Sequence, residues 1–160
     1  ADIAARVVKV LAEAAGSGGM VGGQVLDLEG EGRSLSAEEL DTLHGLKTGA
    51  LLTAPLVMGG IAAGASPDAL EALESYGRSV GLAFQIADDI LDATSSSEDL
   101  GKNPSDSDLD KSTYVRIHGV DAARQRARGL VVQAVDALSR GGINSDSLVA
   151  LAEYTVDRDR

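Results

Sequence analysis

Residues 66–94 read SPDALEALESYGRSVGLAFQIADDILDAT. Ser66 before Pro67 is a helix-start signal. Serine can cap exposed amides, and proline at the first helical position gives up no hydrogen bond. No stop signal follows until about Thr94. That predicts a helix of about 28 residues, roughly 42 Å long at 1.5 Å per residue. Its later part is apolar nearly all round, through Val80, Leu82, Ala83, Phe84, Ile86, Ala87, Ile90 and Leu91. A helix with no polar face is one surrounded by other helices. The stretch therefore predicts an all-α bundle.

The rest of the chain agrees. Residues 2–15 show helical periodicity and stop at Gly16. The glycine-rich turn that follows does not match G-x-G-x-x-G and has no strand before it, so a dinucleotide site is excluded. A short helix is predicted over 20–28, with Gln24 and Asp27 sharing a face. Ser36 and Glu39 form an S-x-x-E capping box. The helix it starts should run through Lys47 and Thr48 towards Pro55, where proline should kink or break it. Residues 95–111, SSSEDLGKNPSDSDLDK, read as a long polar loop. Helices are predicted over about 120–140 and 146–158. No internal repeat or linker divides the chain, so 1–160 reads as one unit.

Composition narrows the partners. The chain has 160 residues, 44% hydrophobic and 2% aromatic, so Ala, Leu, Val and Ile must build the core. A net charge of −11 argues against nucleic acid or an anionic membrane as the partner. There is no cysteine, hence no disulfide framework and no thiolate metal site. The uncharged run 48–64 is about 17 residues long, the short limit of a membrane span. Pro55, several glycines and the lack of an aromatic belt make it a buried core helix. Cytoplasm is the default location.

Three aspartates stand inside the apolar run. Asp88 and Asp92 are one turn apart on one face, and Gln85 joins them. Asp89 lies about 100° round. Phe84, Ala93 and Ser96 occupy the neighbouring turns, so no local cation relieves the charge. Burying unpaired carboxylates is costly, and something outside this helix must neutralise them. Clustered carboxylates suit Mg²⁺, which takes one or two of them and fills its other positions with water and phosphate oxygens. Distant arginines are the structural alternative, and RQRAR at 124–128 could supply them, although an exposed basic face is its plainer reading. If Mg²⁺ holds phosphates, lysines should converge there. Lys47 with Thr48, Lys102 and Lys111 are the candidates. His44 and His118 lack metal-ligand spacing and read as structural.

The pieces GGQVLDLEGEG (22–32), LKTGALLTAP (46–55), FQIADDILDAT (84–94), LGKNPSDSDLDKSTYV (100–115) and YTVDRDR (154–160) resemble, in order and spacing, the trans-isoprenyl diphosphate synthases. These are the polyprenyl synthetases that include farnesyl and geranylgeranyl diphosphate synthases. The resemblance implies the all-α class I isoprenoid synthase bundle. It also implies head-to-tail condensation of isopentenyl diphosphate with an allylic diphosphate. It assigns Mg²⁺ to Asp88, with Asp89 and Asp92 in support. It assigns the allylic diphosphate to Lys47, Thr48, Gln85, Lys102 and Lys111, and catalysis above all to Asp88, Lys47 and Lys102. Gln24 and Asp27 match a polar pair on the cavity wall. Residues 95–111 would be a mobile loop, and a homodimer would be the assembly.

The family carries two Asp-rich motifs, and this sequence contains only the second. Residues 1–160 are therefore expected to be the C-terminal half of a prenyl synthase domain. The half alone should be inactive, with an apolar face left uncovered. A non-catalytic subunit pairing with a complete partner is the alternative, and a terpene cyclase of the same fold is a further one.

Overall fold

The computed structural model describes residues 2–94 and 112–158, and these form helices with no strand among them. The order is α1 (Asp2–Ala15), α2 (Met20–Gly30), α3 (Ala37–His44), a π-helical turn (Gly45–Gly49), α4 (Ala50–Ala62) and α5 (Pro67–Thr94). After the segment 95–111 come α6 (Tyr114–His118), α7 (Val120–Arg140) and α8 (Asp146–Asp157).

The long helix α5 is the axis of the fold. It runs 28 residues as its start signal and apolar run predict. Ser66 Oγ accepts a hydrogen bond from the Ala69 amide at 3.2 Å. Helix α7 supplies its main partner. Ala123, Ala127, Leu130, Ala134 and Ala137 are buried at alternating four- and three-residue steps, a continuous stripe on one side of α7. Ala123, Ala127, Leu130 and Ala134 share one core with Tyr76, Val80, Ala83, Ile86 and Ile90 of α5. Helix α8 is pinned to the same core by the buried Tyr76, whose hydroxyl donates to the Leu148 carbonyl at 2.7 Å.

The capping box forms as the sequence predicts. The Glu39 amide donates to Ser36 Oγ at 3.2 Å, and the Ser36 amide donates to Glu39 Oε2 at 2.8 Å. The Ser36 contacts hold the Glu39 carboxyl below its usual value.

The helix beyond it departs from expectation. Pro55 lies inside α4 and does not end it. The break falls ten residues earlier, where the Ala50 amide reaches back five residues to the Gly45 carbonyl. A single π turn of this kind widens the helix and often marks a functional site. Close packing explains its place. A Cβ on Gly81 would lie 2.8 Å from the Gly49 Cα, and one on Gly77 would lie 2.8 Å from the Thr53 Cα. Only glycine lets α5 approach the turn and α4 so closely.

Helix α4 is buried on one face, through Thr53, Ala54, Gly60 and Ile61, while Leu51 and Leu52 are exposed. The expected buried core helix is thus half-exposed. The stretch Ala37–Ala62 is long and apolar enough to cross a membrane by length and composition. Its α4 part packs against both α5 and α1. Helix α1 buries none of its own residues, and Ile3, Val8 and Leu11 are exposed. With Val21, Val25 and Leu28 of α2 they expose much apolar surface on α1 and α2.

Candidate functional site

The site is built from α2, the π turn and the last three turns of α5. Gly23 of α2 meets the turn backbone to backbone: a Cβ there would lie 2.2 Å from the Lys47 nitrogen. That contact carries Asp27, one turn further along α2, to Lys47. Lys47 Nζ donates to Asp27 Oδ2 at 2.7 Å, with both side chains partly buried. The expected cavity-wall residue Asp27 and the expected diphosphate ligand Lys47 are thus an ion pair. Gln24 is exposed on α2, and Thr48 is half-buried in the turn.

On α5, Gln85 and Asp88 share a face, as their spacing predicts. Gln85 Nε2 donates to Asp88 Oδ2 at 3.4 Å. Asp92 follows one turn on and is exposed. The counter-charge of Asp88 comes from far along the chain. Arg158, just past α8, pairs through Nη2 with Asp88 Oδ1. The same nitrogen lies 3.4 Å from the Phe84 carbonyl, and the guanidinium sits 4.1 Å from the centroid of the Phe84 ring. A cation over an aromatic face is favourable, so Phe84 helps hold Arg158 against the carboxylate.

Asp89 points elsewhere. Its Oδ2 accepts from the Tyr114 amide at 2.8 Å and lies 3.8 Å from His44 Nε2. Its side chain is 13% exposed, against 39% for Asp88. His44 is buried and stacks on Tyr114 with ring centroids 6.0 Å apart. Lys102 and Lys111 lie outside the described residues.

The basic segment 124–128 divides between two roles. Arg126 pairs with Asp41 at 3.6 Å. Arg124 and Arg128 line a polar cavity of about 470 Å³ between α5, α7 and the end of α8, which Arg158 also borders. Asp88 is neutralised by Arg158 and not by this segment. Sequence reasoning missed Arg158, His44 and Tyr114 as neighbours of the aspartates. Thr113 carried a usable signal, because its hydroxyl caps α6 by accepting from the Arg116 amide at 3.2 Å.

The sequence profile of the polyprenyl synthetase family matches residues 2–141. The chain belongs to the polyprenyl synthetase family. It is 40% identical to the farnesyl diphosphate synthase of Micrococcus luteus over 161 aligned residues, spanning all of this chain and 55% of that protein. It is also 40% identical to the Escherichia coli farnesyl diphosphate synthase, over 96% of this chain and 53% of that protein. Among solved structures, the geranylgeranyl pyrophosphate synthetase of Pyrococcus horikoshii superposes with a TM-score of 0.84 at 29% identity, over 98% of this chain and 60% of that one. The Helicobacter pylori geranyltransferase, solved with magnesium and isoprenyl diphosphate, gives 0.79 at 30% identity, over 98% and 52%. The chain spans about half the length of the farnesyl synthases it matches.

Proposed function

We propose that residues 1–160 form the half of a trans-isoprenyl diphosphate synthase that carries the second Asp-rich motif. The whole protein would condense isopentenyl diphosphate with an allylic diphosphate to give farnesyl or geranylgeranyl diphosphate. The observation that carries the reading is the face of α5 bearing Gln85 and Asp88, with Asp92 one turn on, in a helix that packs through Gly81 against Gly49 of the Lys47-bearing turn.

The donor set fits Mg²⁺ as a bridging ion. Asp88 and Asp92 are hard oxygen donors one turn apart. Among the described residues no group of three carboxylates or histidines could hold a metal alone. Mg²⁺ commonly uses one or two carboxylates and completes its octahedron with water and phosphate oxygens. Bound there, it would neutralise charge on the departing diphosphate.

The chain's own groups do the rest. Lys47, a point charge on a long stem, binds diphosphate oxygens, and Asp27 orients its ammonium. Gln85 steadies the Asp88 carboxylate. Thr48 donates from the next position, and Lys102 and Lys111 join the proposal by sequence position alone. The allylic C–O bond breaks with its electron pair leaving on the diphosphate, the isopentenyl double bond forms the new C–C bond to the allylic cation, and a proton is lost to the released diphosphate. The exposed apolar side chains of α1 and α2 are where this reading places the other half of the domain.

The test is steady-state condensation in the full-length protein. Asp88→Asn should lower kcat by about a hundredfold or more, as loss of a main electrostatic stabiliser does. Efficient Mg²⁺-dependent condensation by the purified 160-residue chain alone would overturn the half-site reading.

A further inference from the structure

We infer that Asp89 is a positioning residue and not a metal ligand: it latches the start of α6 onto α5. The inference rests on the reading of Asp88 as the metal-holding carboxylate. Adjacent residues on a helix diverge by about 100°, so Asp88 and Asp89 cannot present their carboxylates to one point without distortion. The structure uses that divergence. Asp89 Oδ2 takes the Tyr114 amide at 2.8 Å, and that amide opens α6, where backbone donors have no intrahelical acceptor. Tyr114 is 3% exposed and belongs to the core, so the amide cannot turn to water without moving the side chain.

A second contact makes this a junction of elements. His44 Nε2, 3.8 Å from Asp89, is too far for a hydrogen bond and is not part of it. Ser112 Oγ accepts from the Leu35 amide at 3.0 Å and lies 3.3 Å from the Arg33 carbonyl. Residues 112–114 are therefore tied both to the α2–α3 connection and to α5. Turning Asp89 towards Asp88 would strand the Tyr114 amide and release α6.

Asparagine separates the roles, because it keeps a neutral acceptor for an amide and is a poor ligand for a hard cation. In the full chain, Mn²⁺ with inorganic diphosphate is titrated by electron paramagnetic resonance, and Tyr114 amide exchange is followed in parallel. Asp89→Asn should bind Mn²⁺ within about twofold of wild type, whereas Asp88→Asn loses at least about tenfold. Tyr114 exchange should quicken about tenfold in Asp89→Ala and stay near wild type in Asp89→Asn. Asp89→Asn weakening Mn²⁺ as much as Asp88→Asn overturns the inference, and so does unchanged Tyr114 exchange in Asp89→Ala. If wild type binds no Mn²⁺, the reading of Asp88 falls, and the exchange data still decide the latch.

Discussion

Gly23→Ala tests how the structure positions Lys47. A Cβ at residue 23 would lie 2.2 Å from the Lys47 nitrogen, 2.5 Å from its Cα and 2.8 Å from the Leu46 carbonyl carbon. All three are backbone atoms, so no side chain can swing aside. Ordinary contact begins near 3.4 Å, and α2 must therefore withdraw from the turn by about 1.2 Å. Overpacking against rigid backbone costs about 2–3 kcal/mol, the upper part of the usual range. Alanine returns about 1 kcal/mol of helix propensity. The net loss is about 1–2 kcal/mol, which lowers Tm by about 2–8 °C in a domain of this size. The functional loss should be larger. Asp27 rides on the same helix, and its 2.7 Å contact with Lys47 opens with the withdrawal. Misplacing a substrate-holding group by 1 Å costs about a hundredfold in rate. The assay pairs thermal unfolding by circular dichroism with kcat/KM for condensation in the full-length protein. Gly59→Ala is the control, because a Cβ there meets nothing within 4 Å. It should stabilise by about 0.5–1 kcal/mol and leave activity unchanged. A Gly23→Ala protein as stable and as active as the control would refute the backbone contact and the positioning argument built on it.

Tyr76→Phe removes the tie to the Leu148 carbonyl and should cost about 1–2 kcal/mol in urea unfolding. Burial raises the Tyr76 pKa in the folded state, so the stability this phenol carries is full below about pH 10 and fades as pH rises through the higher folded value. The alkaline fall of Tm should accordingly be shallower in Tyr76→Phe than in wild type. Arg158→Gln frees the Asp88 carboxylate of its partner and should tighten Mn²⁺ binding about two- to fivefold, the equivalent of about 0.4–1 kcal/mol of partly exposed pairing. Weaker binding in that variant would show that Arg158 supports the site instead of competing for it.

What the sequence made legible is local. The start of α5 at Ser66-Pro67 and the Ser36–Glu39 box are decided within four residues, and both form as expected. The face shared by Gln85 and Asp88 follows from helical spacing and appears in their contact. The π turn was not legible, because its cause is tertiary. Gly49 meets Gly81, and Gly23 meets Lys47, from other elements. Pro55 drew attention as a breaker, yet a helix held by Thr53, Ala54, Gly60 and Ile61 keeps its course with one backbone bond missing. Helix α6 is only five residues long, too short for periodicity to reveal. Thr113 was its one local sign.

The three carboxylates show why an argument from missing local counter-charges goes only part of the way. Placing Asp88, Asp89 and Asp92 on one oily helix raises a single electrostatic problem, but helix geometry divides it into separate ones. Asp89 turns inward and meets an amide dipole 25 residues along the chain, which suits a carboxylate at 13% exposure. Asp88 stays at the rim and meets a full cation 70 residues along. Neither partner lies within a helical turn, so local spacing could not reveal them. The consequence for metal binding is quantitative. A carboxylate already neutralised by a guanidinium offers a divalent ion only the excess of its attraction over that pairing. Mg²⁺ should then bind weakly to the bare chain. It should bind well only when a diphosphate adds oxygen ligands of its own, as a bridging ion requires. Mn²⁺ titrations with and without inorganic diphosphate measure that difference directly. Equal affinity in the two conditions would mean that the protein's side chains hold the ion unaided, contrary to the donor count on α5.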